Sequence, residues 1–254
     1  MIASRVIAHR GSALLAPENT VGAMRLTREL GVDWVEIDVQ SLGDGTLVVF
    51  HDEHLGRLTN GLGPLRALTR QDLAGLDAGS HFSADFAGEP IPLLEDMLQY
   101  LAQAGMGLNL ELKFYDDADI QDAVEKVVRA LETQWSDFGR LLISSFWTRA
   151  LELMSNLRPT WQYGQLCVEL PQGWQSRVGH LPLVSIHCHG DSLTARQAAD
   201  IKAAGYELYV YTVNDRAAGE RLFEMGVDGV ITDDPTLFSS HFQGAGRTRY
   251  GGSE

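Results

Sequence analysis

Three carboxylates with strand-like spacing are the first residues that could do chemistry. Glu36 and Asp38 lie two apart in Trp34-Val35-Glu36-Ile37-Asp38-Val39, and Glu111 lies between Leu110 and Leu112. Alternate residues of a strand point to one face, so Glu36 and Asp38 emerge together. Three oxygen donors without a thiolate suit one hard divalent cation, Mg2+, Ca2+ or Mn2+, rather than zinc. The plainer arrangement is an edge strand whose carboxylates face water. Their apolar neighbours argue against it, because unpaired carboxylates buried among such residues are costly.

Two histidines, His9 and His51, each follow an apolar run directly. Two imidazoles flanking a metal-bound phosphate can act as general base and general acid. Arg10 and Lys113 are the cations suited to phosphate oxygens, the first through its planar fork and the second as a point charge. Ordinary surface ion pairing is the alternative for Arg10. In Pro17-Glu18-Asn19-Thr20, Glu18 and Asn19 either simply open a helix or orient the site, and Asp52 beside His51 is placed with them. His187 and His189 either line a substrate pocket or occupy a surface loop.

These residues are scattered, so the fold must gather them. Apolar runs predict strands at 6–8, 34–39, 108–112, 141–144, 163–166, 183–186, 207–211 and 229–231. Amphipathic stretches lie between them. In 119–131 the residues Ile120, Val124, Val127, Val128 and Leu131 fall on one helical face. Gly31, Gly105, Gly205 and Gly226 read as helix stops leading into the next strand. A further run at 47–50 follows Leu42-Gly43-Asp44-Gly45, too short a link for a parallel neighbour, and reads as a hairpin. Eight βα units in about 250 residues is the pattern of an α/β (β/α)8 TIM barrel, with a doubly wound open sheet as the alternative. In a barrel the polar residues ending the strands would converge at one end.

Residues 54–92, rich in Gly, Asp and Pro, break this rhythm and read as an insertion on the C-terminal rim, with one short helix at 69–76. A helix at 93–104 follows. Residues 1–243 then form a single domain, and the tail 244–254 is expected to be disordered.

Composition narrows the partners. The 254 residues carry a net charge of −14, with 44 % hydrophobic and 21 % charged residues. That is the balance of a globular protein, and its sign argues against nucleic acid and anionic membrane surfaces. Two cysteines, Cys167 and Cys188, make neither a disulfide framework nor a zinc site and read as core thiols of a reducing compartment. No signal-peptide or membrane-spanning pattern occurs, so a cytoplasmic protein is expected.

The motifs His9-Arg10-Gly11, Pro17-Glu18-Asn19-Thr20, Glu36-Ile37-Asp38-Val39, Val49-Phe50-His51-Asp52 and Leu110-Glu111-Leu112-Lys113 together resemble those of the glycerophosphodiester phosphodiesterases. The likeness continues through Ile143-Ser144-Ser145-Phe146, Tyr211-Thr212-Val213-Asn214 and 226–233. The resemblance implies a TIM barrel that hydrolyses small-molecule glycerophosphodiesters to sn-glycerol 3-phosphate and an alcohol. It further implies a divalent cation on Glu36, Asp38 and Glu111, catalytic His9 and His51, and phosphate contacts from Arg10 and Lys113. Three rivals share these features: a phospholipase-D-like hydrolase of lysophospholipids, a phosphoinositide-type phospholipase C, and a non-catalytic phosphate-binding barrel. The first needs an apolar ledge, for which Trp147, Trp174 or the insertion are candidates.

Overall fold

The computed structural model describes residues 2, 4–117 and 120–242. Among these residues nine strands form one sheet: β1 (Val6–His9), β2 (Trp34–Ser41), β3 (Leu47–Val49), β4 (Gly107–Leu112), β5 (Leu141–Ser145), β6 (Gln162–Cys167), β7 (Leu183–His189), β8 (Glu207–Tyr211) and β9 (Gly229–Thr232). Eight of them run parallel around a ring, which closes because β1 pairs with both β2 and β9. The ninth, β3, is antiparallel to the end of β2, as the short Leu42–Gly45 link requires. The fold is therefore a closed (β/α)8 barrel.

Among the described residues seven helices cover it: α1 (Val21–Glu29), α2 (Leu94–Ala104), α3 (Ile120–Gln134), α4 (Thr148–Leu157), α5 (Trp174–Val178), α6 (Ala195–Ala203) and α7 (Arg216–Glu224). The eighth unit ends instead in a tight 3-10 run, Pro235–His241, kinked at Phe238. The expected stops at Gly31, Gly105, Gly205 and Gly226 all take φ between 65 and 89°, a region that only glycine enters cheaply. The start of the helix at 119 and the tail 244–254 lie outside the described residues.

Side chains alternate along each strand and so build two cores. Val35, Ile37, Val39, Leu108, Leu110, Ile143, Val210 and Val230 face outward and pack under the helices. Ile7, Trp34, Leu142, Tyr209 and Ile231 face inward with Ile2 and form an apolar floor inside the barrel. Trp34 reaches across to β4, where a Cβ on Gly107 would sit 2.3 Å from its ring, so only glycine leaves room.

Residues 54–92 fold around the hairpin. Leu55, Leu58, Leu65, Ala78 and Ile91 bury against Leu42, Val48 and Phe50 in a small separate core. The helix expected at 69–76 is only a 3-10 turn, Arg70–Leu73. Thr69 and Asp72 cap it reciprocally, and Leu73 and Leu76 pack half-buried on the insertion core, but Gly75 at φ 85° ends the turn within two residues.

Trp34→Ala would open a cavity in the barrel floor and should cost about 3–5 kcal/mol of unfolding free energy. A urea titration measures this, and a loss under about 1 kcal/mol would mean the floor repacks freely.

Candidate active site

Strand register brings the carboxylates together. His9 on β1 pairs with Glu36 on β2, and Asp38 pairs with Glu111 on β4. All face the barrel interior at the C-terminal end of the strands, above the apolar floor. Glu36, Asp38 and Glu111 are 3, 1 and 9 % exposed. One oxygen from each lies within 4.8 Å of the others, close enough to share one cation.

Their partners do not satisfy them. Asp38 Oδ2 accepts from Asn19 Nδ2 at 2.9 Å and lies 3.3 Å from Arg10 Nε, an ion-pair distance without hydrogen-bond alignment. Lys113 Nζ stands 3.5 Å from Glu111 and 3.8 Å from Asp38. Glu36 Oε2 accepts the Arg10 backbone N–H at 3.1 Å, while Glu36 Oε1 is buried and meets no donor among the described residues. Burial, with Asp38 and Glu111 adjacent, pushes Glu36 well above the usual carboxylate range; burial and the Asp38 charge raise Glu111 to about 7. Asp38 alone is lowered: burial works against it, but the charges of Arg10, His51 and Lys113 prevail. An orphaned oxygen and two carboxyls starved of positive charge fit a hard divalent cation.

The two histidines are built alike. His9 Nδ1 lies 2.6 Å from Asp233 Oδ1, and His51 Nδ1 lies 2.7 Å from Asp52 Oδ1. Ionised carboxylates only accept, so each Nδ1 carries the hydrogen and each Nε2 keeps its lone pair in the neutral ring. His9 Nε2 is 3.8 Å from Glu36 Oε2. Asn214 Nδ2 donates to Asp233 Oδ2 at 2.6 Å, and Arg57 holds Asp52. Burial lowers His51, and the charge of Asp38 only partly restores it.

The loop after β1 is shaped around this cluster. Arg10, Ser12 and Asn19 take φ of 50, 71 and 61°, a left-handed conformation costly for residues with a Cβ. Glu36 holds Arg10 through its backbone N–H, Ser12 Oγ meets Thr27 Oγ1, and Asn19 bonds both the side chain and the backbone N–H of Asp38. Thr20 caps α1 through its side chain, which leaves Asn19 free for Asp38. Glu18 accepts from Arg10 and Arg57.

His187 does not line an open pocket. It lies within β7, which runs three residues beyond the expected end at 186, and it is wholly buried. Its Nε2 meets Ser185 Oγ at 2.9 Å, its ring packs on Tyr209, and burial lowers it to about 3, which keeps it neutral. His189, at the end of the same strand, is half-buried with its ring edge against Tyr211. Of the two ledge candidates, Trp147 is half-buried and donates to the Phe114 carbonyl against the Phe114 ring, and Trp174, packed on Tyr206, lines a cavity with Phe146, Leu166 and Leu170. Cys167 and Cys188 are register neighbours with Sγ atoms 3.5 Å apart, a contact 21 residues of separation did not suggest.

Asp233, Asn214 and Arg57 are among the site residues to which the sequence pattern assigned no role, as are Gln40 and Tyr115, which donate to the His51 carbonyl. The first two stand in quoted motifs, which was the available signal; Arg57 had none.

A group whose pKa is higher in the folded than in the unfolded chain favours folding while protonated, and that gain is lost as pH rises through the folded value. For Glu111 the window runs from 4.5 to about 7. The metal-free protein should therefore lose thermal midpoint between pH 5 and 7.5 more steeply than Glu111→Gln, which cannot titrate there. Mg2+ or Ca2+ should raise the wild-type midpoint more at pH 7.5 than at pH 5. Identical pH slopes in the two proteins would remove the proposed crowding of charge.

Comparison with known proteins points to a family. Residues 9–237 match the Glycerophosphoryl diester phosphodiesterase family. A glycerophosphodiester phosphodiesterase of Caldanaerobacter subterraneus subsp. tengcongensis is 34 % identical over 235 residues, covering 91 % of this chain and 94 % of that protein. One of Bacillus subtilis (strain 168) is 30 % identical over 250 residues, covering 91 and 84 %. An Oleispira antarctica phosphodiesterase solved in complex with the product sn-glycerol-3-phosphate is 38 % identical, with a TM-score of 0.90 over 93 % of this chain and 96 % of that one. Spanning nearly the whole barrel, these similarities place the chain in the glycerophosphoryl diester phosphodiesterase family.

Proposed function

We propose that this protein hydrolyses glycerophosphodiesters to sn-glycerol 3-phosphate and an alcohol, with His9 and His51 as the general acid–base pair. The observation that carries the mechanism is the paired construction of the histidines, each locked at Nδ1 by a carboxylate, beside a buried three-carboxylate cluster. The likeness to a phosphodiesterase bound to sn-glycerol-3-phosphate supports the product.

Glu36, Asp38 and Glu111 would hold a divalent cation, Mg2+, Ca2+ or Mn2+. Such a cation, when bound, supplies Lewis-acid neutralisation of charge on the phosphoryl oxygens. Arg10 and Lys113 bind and orient the phosphate. One histidine takes the proton of the glycerol 2-hydroxyl through Nε2 as that oxygen attacks phosphorus, and the other protonates the departing alcohol oxygen. The cyclic glycerol phosphate is then opened by water with the proton roles reversed. Asp233 and Asp52 keep each ring in the tautomer that presents Nε2 and stabilise the imidazolium form. Glu18 and Asn19 hold Arg10 and Asp38 in place.

The barrel acts as a single catalytic unit with 54–92 on its rim. Among the described residues no helix is long and apolar enough to cross a membrane. The unbridged pair Cys167 and Cys188 fits a reducing compartment, the cytoplasm.

A product assay on glycerophosphocholine, glycerophosphoethanolamine and glycerophosphoglycerol, with each cation and with chelator, tests this reading. Release of sn-glycerol 3-phosphate that stops on full metal removal is expected, with lysophosphatidylcholine turned over more slowly. His9→Ala and His51→Ala should each lower kcat at least ~100-fold. Near-normal turnover in both variants would overturn the assignment, and chelator-resistant activity would overturn the role of the carboxylates.

A further inference from the structure

Arg57 stands outside the family motifs quoted above and outside the barrel strands, in the 3-10 turn Leu55–Arg57 that opens the insertion. That turn is anchored. Leu55 and Leu58 are buried in the insertion core, the Leu55 N–H donates to the Gly63 carbonyl, and the Leu65 N–H donates to the Glu53 carbonyl. The Arg57 side chain is 53 % exposed, yet four of its hydrogen bonds go to two carboxylates of the site. Nε and Nη2 donate to Asp52 at 2.7 and 2.8 Å, and Nη1 and Nη2 donate to Glu18 at 2.9 and 3.0 Å.

Each of those carboxylates is already the partner of a group that handles substrate. Asp52 Oδ1 takes the His51 Nδ1 hydrogen at 2.7 Å, and Glu18 Oε1 takes Arg10 Nη1 at 2.7 Å. The result is an unbroken chain, His51–Asp52–Arg57–Glu18–Arg10, which reaches Asp38 through Arg10 Nε. Glu18, His51 and Asp52 have ligand atoms within 4.8 Å of one another, a spacing that also suits a metal ion. Arg57 already supplies positive charge to both carboxylates, so this cluster is a clamp and not a second cation site. A planar guanidinium fixes the separation of two carboxylates that it grips bidentately, which a lysine, as a point charge, cannot do.

We propose that Arg57 is a positioning residue: it sets His51 and Arg10 in one register by clamping Asp52 to Glu18, and delivering it is the task of the insertion. The inference rests on the roles of His51 and Arg10 proposed above.

The test is a mutant cycle on the full chain, with glycerophosphocholine and Mg2+. Arg57→Ala should lower kcat/KM roughly 10–100-fold, the usual weight of a residue supporting a catalytic group from behind. Arg57→Lys should recover only part of the loss. In an Asp52→Asn/Glu18→Gln background, Arg57→Ala should cost no more than about threefold further, because its partners are gone. Added guanidinium chloride at millimolar concentration should restore part of the Arg57→Ala activity through the exposed site, which a misfolded enzyme would not show. The clamp is overturned if Arg57→Ala stays within twofold of wild type, or if its cost is as large in the double-substituted background. If Arg57→Ala does not fold, Arg57→Lys decides: full activity there overturns the clamp, and a tenfold or greater loss in a folded protein upholds it. His51→Ala is assayed alongside. Wild-type turnover in that variant would overturn the reading of His51 instead, whereas its loss without loss in the Arg57 variants overturns the clamp alone.

Discussion

Crowding of three carboxylates in the mouth of the barrel sets the terms for the rest of the site. Two like charges 4 Å apart repel by about 4 kcal/mol at an effective dielectric of 20, and Glu36, Asp38 and Glu111 are all buried with oxygens within 4.8 Å. The cluster cannot spread to relieve this, since Asp38 and Glu111 are register partners on hydrogen-bonded strands and Glu36 shares a face with Asp38. What remains is to bring positive charge and donors to it. Arg10, Lys113 and Asn19 do part of that, and they favour Asp38. Glu36 and Glu111 are left as the acids that a divalent cation would keep ionised.

The same carboxylates hold the loop that serves them. Three non-glycine residues in the left-handed region within one loop cost on the order of 1–3 kcal/mol each, and such a conformation persists only where its surroundings dictate it. Glu36 grips the Arg10 backbone and Asp38 grips Asn19, so the negative cluster shapes the loop and the loop in turn offsets the charge of Asp38. Below, the apolar floor of Trp34, Tyr209 and Ile231 excludes water from the barrel. That exclusion strengthens every charge interaction above it. Arg57, from the insertion, joins this loop to the His51 side of the site through Glu18 and Asp52.

Residue type and period carried much of this. Seven of the eight predicted barrel strands extend one to three residues further in the structure, and 207–211 matches its strand end to end. The four helix-stop glycines have the expected backbone, and the short link before 47 became a hairpin. Two elements differ from expectation, each for its own reason. Thr69 and Asp72 open a capped turn, which the left-handed Gly75 then ends. The strand expected to end at 186 continues to 189 because its inward residues Ser185 and His187 bond each other inside the barrel, where polarity no longer signals a surface. His187 therefore reads as a pocket residue by position and is a neutral core residue by environment.

Local chemistry was thus determined by the sequence alone: which segments are strands, which faces are apolar, and that oxygen donors, imidazoles and cations end several strands. Period and composition act over a few residues, and the chain carries that information directly. Only the tertiary structure decided the pairings across hundreds of residues. Ring closure of β1 onto β9 brings Asp233 to His9 over a separation of 224, and the insertion folds back to set Arg57 against Glu18 over 39. The negative charge of the whole chain said only which polyanions to exclude. Spacing and apolar neighbours already marked three carboxylates as cation ligands, but that their oxygens lie within 4.8 Å of one another follows from strand register, which no linear pattern states.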